Sequence, residues 1–438
     1  MKRYDTYKDS GVQWLGEIPG HWDCVPFKSV FDLGKGLSIT KENLKDSGIN
    51  VISYGQIHSK NNKFSYVIPE LYRYVDESYL ITNPQSLANK EDFLFADTSE
   101  DVEGSGNFVR IDNEETIFAG YHTIIAKNKK SQSGNYLAYL LQSNKWKMQI
   151  WVQVHGIKVF SITRSILNST KLLLPPLSEQ HSIVTYLDDK CGKIDKMVEG
   201  KQKQIELLAE MKQRIIADAV TRGLNPDVKM KATNIPWLPE IPEHWEMKRL
   251  KYLVSCNDES LTNTEDPNLE INYVEIGDVN DVKGITNMTK YRFEDAPSRA
   301  RRKTRKDDVI VSTVRTYLKA IAKIPENEII VSTGFAVLRA KDINSSYLAF
   351  CCMSNKFVDS VVAKSKGISY PAITAFELLN LYVPVPPLSE QHSIVSYITD
   401  KTTKIGTLTS NLQQEIESIK EYKQRLISDV VTGQIKVC

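Results

Sequence analysis

The chain has 438 residues, 41% apolar and 25% charged, and its 56 basic and 54 acidic side chains leave a net charge of +2. That length allows two to four domains at about 100–200 residues each, with ample core-forming material. A net charge so close to zero excludes a global field for nucleic acid, so any basic surface must be local. The six cysteines form no C-x-x-C pair and suit neither a zinc site nor a disulfide framework. The opening "MKRYDTYKDSGVQWLG" lacks the apolar stretch of a secretory signal, and no apolar run reaches the ~18 residues of a membrane span. The expectation is a soluble, cytoplasmic chain without a membrane partner.

Residues 1–22 form a polar N-terminal arm that ends in "VQWLGEIPGHW" (Val12–Trp22). Residues 23–177 follow as a mixed α/β domain. Its expected strands are "NVISYGQI" (Asn50–Ile57), "DFLFADT" (Asp92–Thr98) and "TIIAK" (Thr123–Lys127), and "NYLAYLLQSNKW" (Asn135–Trp146) is an expected helix. Within it, Lys35, Tyr54, Gln56, His58, Lys60 and Lys63 are isolated candidates for DNA contact. The stretch "FDLGKG" (Phe31–Gly36) contains the D-x-G-x-G pattern of S-adenosylmethionine-dependent methyltransferases. Its lead-in "VPFKSV" is a poor buried strand, and the only tetrapeptide of the N-P-P-Y type to follow is "NPQS" (Asn83–Ser86).

Residues 178–223 read as one long helix. Pro175-Pro176 stop what precedes it, Ser178 is placed as its N-cap with Glu179 in the first turn, and Gly223 is placed as its stop. Apolar positions recur at steps of four and three through Ile183, Leu187, Cys191, Ile194, Val198, Lys201, Ile205, Leu208, Lys212, Ile215 and Ala219. This is a heptad seam, so the helix requires a partner. Gly192 is a possible bend.

A linker and second arm (224–245) carry "IPWLPEIPEHW" (Ile235–Trp245), identical to the first arm at seven of eleven positions. Residues 246–388 read as a second α/β domain with strands "INYVEIGDV" (Ile271–Val279), "DVIVSTV" (Asp308–Val314) and "FAVLRA" (Phe335–Ala340). This domain holds "SRARRKTRKDD", in which six of the nine residues Ser298–Lys306 are basic. Arg301, Arg302, Lys303 and Arg305, with Arg315, Tyr317 and Lys319 of "VRTYLKA", are the pointed candidates for a DNA surface; a solvated basic loop is the plain alternative. Residues 389–438 repeat the helix, with Ser389 as N-cap, Gly433 as stop, a weak point at Lys401–Lys404, and a seam through Ile394, Ile398, Thr402, Ile405, Thr409, Leu412, Ile416, Ile419, Lys423, Leu426 and Val430.

The decapeptide "PPLSEQHSIV" stands at Pro175–Val184 and again at Pro386–Val395, an offset of 211 residues, while the two arms stand 223 apart. The scaffold is therefore repeated, and the domains within it are free to differ. Two similar helices with a domain between them pair most simply as an antiparallel coiled coil. The seam residues Ile194, Ile205, Leu208, Ile215, Ile405, Leu412, Ile416 and Leu426 are the candidates for helix pairing. Catalytic patterns fail. Pro226-Asp227 with Glu246-Met247-Lys248 imitates a nuclease, but the repeat equivalent Asp23-Cys24-Val25 lacks the lysine. No phosphate-binding glycine loop is present, and His21, His181, His244 and His392 recur by repeat position, which points to packing or capping.

The two W-L-x-E-I-P-x-H-W arms, the two "PPLSEQHSIV" stretches and the long helices with "KQRII" and "KQRLI" together resemble the specificity subunit of type I restriction-modification systems. The resemblance covers essentially the whole chain. It implies two pseudo-symmetric mixed α/β target-recognition domains separated by two long antiparallel coiled-coil helices. It also implies a non-catalytic subunit that reads a bipartite target in double-stranded DNA. Its implied partners are two methyltransferase subunits, which would bring S-adenosylmethionine, and restriction (motor-nuclease) subunits, which would bring ATP and Mg; the chain would hold no cofactor or metal of its own. The alternatives are a self-contained DNA adenine methyltransferase using "DLGKG" and a coiled-coil scaffold without DNA binding.

If the helices measure the gap between half-sites, four residues inserted near Gln204 and matched near Glu415 extend them by ~6 Å. At ~3.4 Å per base pair, the preferred spacer should lengthen by one or two base pairs with both half-site sequences unchanged. The readout is the methylated motif recovered from DNA with randomised spacers.

Overall fold

The computed structural model describes residues 2–62, 65–129, 132–156, 158–280, 284–367 and 371–437. The chain divides into two compact units, residues 1–199 with 415–438, and residues 200–414.

In the first unit the arm is a small antiparallel hairpin of Tyr7–Asp9 and Glu17–Pro19, followed by the fully buried Trp22. Strand Asp23–Pro26 pairs antiparallel with Lys171–Leu174, so the two ends of the globular domain lie side by side. Between them stand two four-stranded sheets. One has the order Phe108–Arg110, Phe93–Ala96, Thr123–Asn128, Phe31–Lys35, all antiparallel. The other has the order Arg73–Val75, Ile49–Ile52, Ile117–Ala119, Leu87–Ala88, with a parallel central pair. Phe93–Ala96 reads FLFA and is buried at every residue, as a strand covered on both faces requires. Helices Gly134–Gln142 and Asn144–Trp151 close the domain, and the hydroxyls of Ser133 and Ser143 accept from Tyr136 N and Trp146 N as N-caps. An aromatic core joins sheet to helix: Phe27 stacks on Phe31 at 4.6 Å, and Phe95 meets Trp146 at 6.1 Å between ring centroids.

The second unit repeats this topology strand for strand. Its antiparallel sheet runs Ile321–Lys323, Val309–Ser312, Phe335–Ala340, Val254–Cys256, and its second sheet runs Thr289–Arg292, Glu270–Val274, Ile329–Ser332, Ala300–Lys303, again with a parallel central pair. Phe31 corresponds to Val254, Phe93 to Val309, Thr123 to Phe335 and Lys171 to Tyr382, so the offset of 223 falls through 216 and 212 to 211. The twelve extra residues of the first copy thus lie in the connections between matched strands. Sequence divergence has left the frame intact.

The long helices span Leu177–Arg222 (46 residues) and Leu388–Val431 (44 residues), uninterrupted at Gly192 or at Lys401–Lys404. Ser178 and Ser389 are not the caps. Glu179 N and Gln180 N donate to the carbonyl of Pro176, and Gln391 N donates to that of Pro387, so each helix begins two residues earlier than the serine cap implies, at Leu177 and Leu388. A proline there loses nothing, because a donor ahead of the first turn has no intrahelical acceptor. Gly223 and Gly433 follow the helix ends at φ +77° and +73°, a left-handed stop that glycine takes without a Cβ penalty.

The heptad seam is buried or half-buried throughout, flanked by exposed positions. Ile194, Ile405, Leu412, Ile416 and Leu426 are buried; Ile205, Leu208 and Ile215 are half-buried. In the first unit Ile183, Leu187, Cys191 and Ile194 share one core with Leu426, Ile427 and Val430, and Lys423 Nζ bonds Asp195 at 2.6 Å. In the second unit Ile216, Ala219 and Val220 share a core with Ile394 and Ile398. Within each unit the start of one helix therefore lies against the end of the other, which is antiparallel pairing. Near the helix ends the deepest burial shifts one residue off the heptad, to Ile216 and Ile427. A 3.6-residue turn drifts from a 3.5-residue repeat, and a second core waits on that side.

The repeated decapeptide explains itself at these helix starts. Gln180 is fully buried; its Nε2 donates to Pro175 O at 2.9 Å and its Oε1 accepts from Ser133 N at 3.0 Å, which ties the helix to the start of Gly134–Gln142. Gln391 does the same with Pro386 O (2.9 Å) and Asn344 N (2.8 Å). Glu179 accepts from Tyr4 and from His21 Nε2 (2.8 Å) of the arm, and Glu390 accepts from His244 Nε2 (2.8 Å) and Trp245 Nε1 (3.1 Å). Burial raises the Glu179 carboxyl, but the Tyr4 and His21 donors outweigh it and hold the group below the usual carboxylate range. His181 and His392 are exposed; of the four histidines expected to pack or cap, the arm pair bonds the glutamates at the helix starts. A matched tyrosine completes each joint: Tyr136 OH donates to Leu173 O and Val431 O, and Tyr347 OH donates to Pro384 O and Val220 O.

Gln180→Ala and Gln391→Ala each remove a buried amide and leave the partly buried N–H of Ser133 or Asn344 without its acceptor, so each should destabilise its own unit by about 1–3 kcal/mol. Urea titration followed by amide exchange of peptides from each unit should show the loss in one unit and not in the other.

Candidate nucleic-acid interface

Each unit has a cleft at the same topological place, where the chain leaves the ends of matched strands. In the first unit it has a volume of about 930 Å³ and is walled by residues following Ile49–Ile52, Phe93–Ala96 and Ile117–Ala119, among them Tyr54, Thr98, Ser99 and His122. In the second it has a volume of about 790 Å³, and the corresponding positions hold Ile276, Val314, Arg315 and Gly334. The equivalence rests on register: Thr98 pairs with Ser161 as Val314 pairs with Ala372, and Ile117 pairs with Asn50 as Ile329 pairs with Asn272.

In the first cleft Tyr54 meets His58 at 6.5 Å and His122 at 5.5 Å, both edge to face. His58 Nε2 donates to Thr98 O at 2.8 Å, and its Nδ1 accepts from Asn107 Nδ2 at 3.1 Å. The other end of that amide, Asn107 Oδ1, accepts from Lys147 Nζ at 2.7 Å. These bonds fix one His58 tautomer. His122 sits at φ +55°, a conformation costly for a residue with a Cβ, and its Nδ1 lies 3.1 Å from Asp97. Glu100, Asp101 and Glu103 add carboxylates to the same wall.

Of the residues singled out from sequence here, Tyr54, His58 and Lys60 come together in the cleft. Gln56 lies beside them, but its Oε1 accepts from Ser53 N at 3.0 Å and so caps the Tyr54–Ile57 turn. Lys35 stands exposed on strand Phe31–Lys35, and Lys63 lies outside the described residues.

The basic run of the second unit is not an open loop. Arg301, Arg302 and Lys303 lie half-buried on the edge strand Ala300–Lys303. The Arg301 guanidinium covers the Phe293 ring at 4.8 Å, Lys303 faces Glu265 at 3.7 Å, and Arg305 pairs with Glu259 at 2.6 Å. The carboxyl of Glu259, bonded first by Arg339 and then drawn by Arg305, is held below its usual range. Two of the run's six charges, those of Lys303 and Arg305, are thus met locally by carboxylates, which composition along the sequence could not reveal.

Arg315 enters the cleft, Tyr317 stands 53% exposed on the turn Thr316–Leu318, and Lys319 Nζ turns away to Asn355 Oδ1 at 3.4 Å. Arg315 and Lys319 flank that turn at φ +51° and +52°. Sequence reasoning missed His122, Arg299 and Glu275 as cleft residues. The only available signal was their place just beyond a strand end.

The glycines of "DLGKG" serve packing. Gly34 lies within a paired strand against Ile125, and a Cβ on Gly36 would stand 2.2 Å from Gly120 O. There is no strand-to-helix turn for a cofactor at that point. Glu246 and Lys248 pair with each other at 2.8 Å on strand Glu246–Arg249. Among the described residues no group of three or more His, Cys, Asp or Glu is placed to hold a metal ion, and no helix is long and apolar enough to cross a membrane.

Burial pushes the Lys147 ammonium down to about 8 from its ordinary value near 10.5. The folded state then sheds this proton before the unfolded chain does. Between about pH 8 and 10.5 the unfolded state binds more protons, so stability contributed by this site rises with pH across that window. Lys147→Met should remove the rise, as read by thermal unfolding of the first unit at pH 7.5 and 9.5.

The family model described as the type I restriction modification DNA specificity domain matches residues 19–207 and again residues 242–418. The MjaVIII specificity subunit of Methanocaldococcus jannaschii is 25% identical over 390 residues, covering 84% of this chain and 86% of that protein. The putative MjaX specificity subunit of the same organism is 23% identical, covering 97% and 96%. A chain from a solved structure on complex assembly and conformational transition of the type I R-M system superposes with a TM-score of 0.69 at 17% identity, covering 95% of this chain and 99% of the other. The duplicated frame and the double match to one model make this chain a member of the type I restriction-modification DNA specificity family.

Proposed function

We propose that this chain is the sequence-reading subunit of a type I restriction-modification complex and that each unit reads one half of a bipartite site in double-stranded DNA. The observation that carries this reading is the pairing of one strand topology with two differently lined clefts. The frame is held constant by the joints at the helix starts, and the residues at the strand ends vary. Aromatic, amide, imidazole and guanidinium groups in those clefts are the chemistry that reads base edges.

The chain supports recognition without supplying chemistry of its own. Two methyltransferase subunits carrying S-adenosylmethionine would dock on the two repeated helix regions, and restriction subunits carrying ATP and Mg would join them in the cytoplasm. The chain itself holds no cofactor or metal in this reading. Two equivalent helix starts suit two copies of one partner, because identical sequence at two places presents identical surfaces.

The chain incubated alone with S-adenosylmethionine and duplex DNA should transfer no methyl groups. The same chain with its cognate methyltransferase subunit should methylate one two-part motif, with affinity that falls as salt rises. Methylation by the chain alone would overturn the reading, as would a partnered complex that modifies only a continuous, single-part motif.

A further inference from the structure

We propose that the cleft of the second unit reads a guanine in the DNA major groove through Arg299 and Arg315. This rests on the reading of each unit as a half-site reader and adds the base class and the residues for one of them.

The two arginines reach one cleft from different sheets. Arg315 follows strand Val309–Ser312, and Arg299 immediately precedes strand Ala300–Lys303 of the other sheet. The backbone under each is fixed. Arg315 N donates to Pro371 O at 2.8 Å, and Thr333 N donates to Arg299 O at 2.9 Å. Arg315 also holds φ +51°, a left-handed conformation that a residue with a Cβ adopts only at a cost. That cost is borne where the frame does not demand arginine, since the matched position in the first unit is Ser99.

Charge separates the two clefts. Among the described residues, the charged groups that line the second are Arg299, Arg315 and one carboxylate, Glu275. That carboxylate accepts from the backbone N–H of Asp278 and closes its own turn. The first is lined by Glu100, Asp101 and Glu103 against Lys60. In the neighbouring basic run, Arg301 lies over the Phe293 ring and Arg305 pairs with Glu259. A guanidinium offers two parallel donors that match guanine O6 and N7, and one such pair discriminates by about 1–3 kcal/mol, or roughly 5- to 150-fold.

The test uses the full chain with its methyltransferase partner and a pool of duplexes. Arg315→Lys and Arg299→Lys keep the charge and lose the fork. At least one of them should relax a guanine position in one half-site by roughly 5- to 150-fold while the other half-site stays sharp. A second measurement needs no variant: in the unaltered complex, 7-deazaguanine at that position, which lacks the N7 acceptor, should weaken binding by a similar factor. If both lysine variants keep the full motif, the arginines hold phosphates and the proposal fails. It also fails if 7-deazaguanine is tolerated at every guanine of both half-sites. Loss of two-part recognition by the unaltered complex would instead refute the broader half-site reading.

Discussion

A glutamate and a glutamine in the first turn of each long helix hold together three segments that are far apart in sequence. Gln180 and Gln391 bind the helix to its domain by taking a backbone N–H from the capping residue of a neighbouring helix. Glu179 and Glu390 bind the arm by taking a histidine N–H. Each group is buried or partly buried, so losing a partner would cost more than the bond itself gains. This asymmetry accounts for the proline, glutamate and glutamine repeated at two places while the domains between them differ.

Because the joint is fixed, the domain it anchors can change without changing its place. Twelve residues of length difference are absorbed between matched strands, and the pairing pattern survives them. The parallel central pair and the antiparallel sheet deliver the same strand ends to the same cleft in both units. What varies is the chemistry there: histidine, tyrosine and carboxylates in one, two arginines in the other. In the proposed reading, function in this chain lies on residues at the strand ends of a strongly constrained frame.

The scaffold was legible in the sequence because its signals are local. The heptad seam, the glycine stops at Gly223 and Gly433, and the repeated arms each depend on neighbours within a few turns. The serine cap at Ser178 misled because Pro176 supplies the first carbonyl equally well. The clefts were not legible, since they depend on the parallel pairing of strands 67 residues apart (Asn50 with Ile117) and on register that no short window contains. The basic run drew attention by composition, yet its Arg305 and Lys303 are met by Glu259 and Glu265 and its Arg301 lies over Phe293. Arg315 was visible as an arginine, but the left-handed turn that aims it was not.

The central claim is that one frame, differently lined, reads two half-sites. Replacing residues 246–385 by a second copy of residues 23–174 leaves both sets of joints in place and makes the two clefts the same. Sequencing the methylated bases in cells that carry this chain with its partners gives the motif directly. The account predicts a two-part target in which both halves carry the base content formerly read by the first domain alone. A folded, active complex that still methylates the original, unequal halves would contradict it, because the reading would then reside outside the exchanged domain.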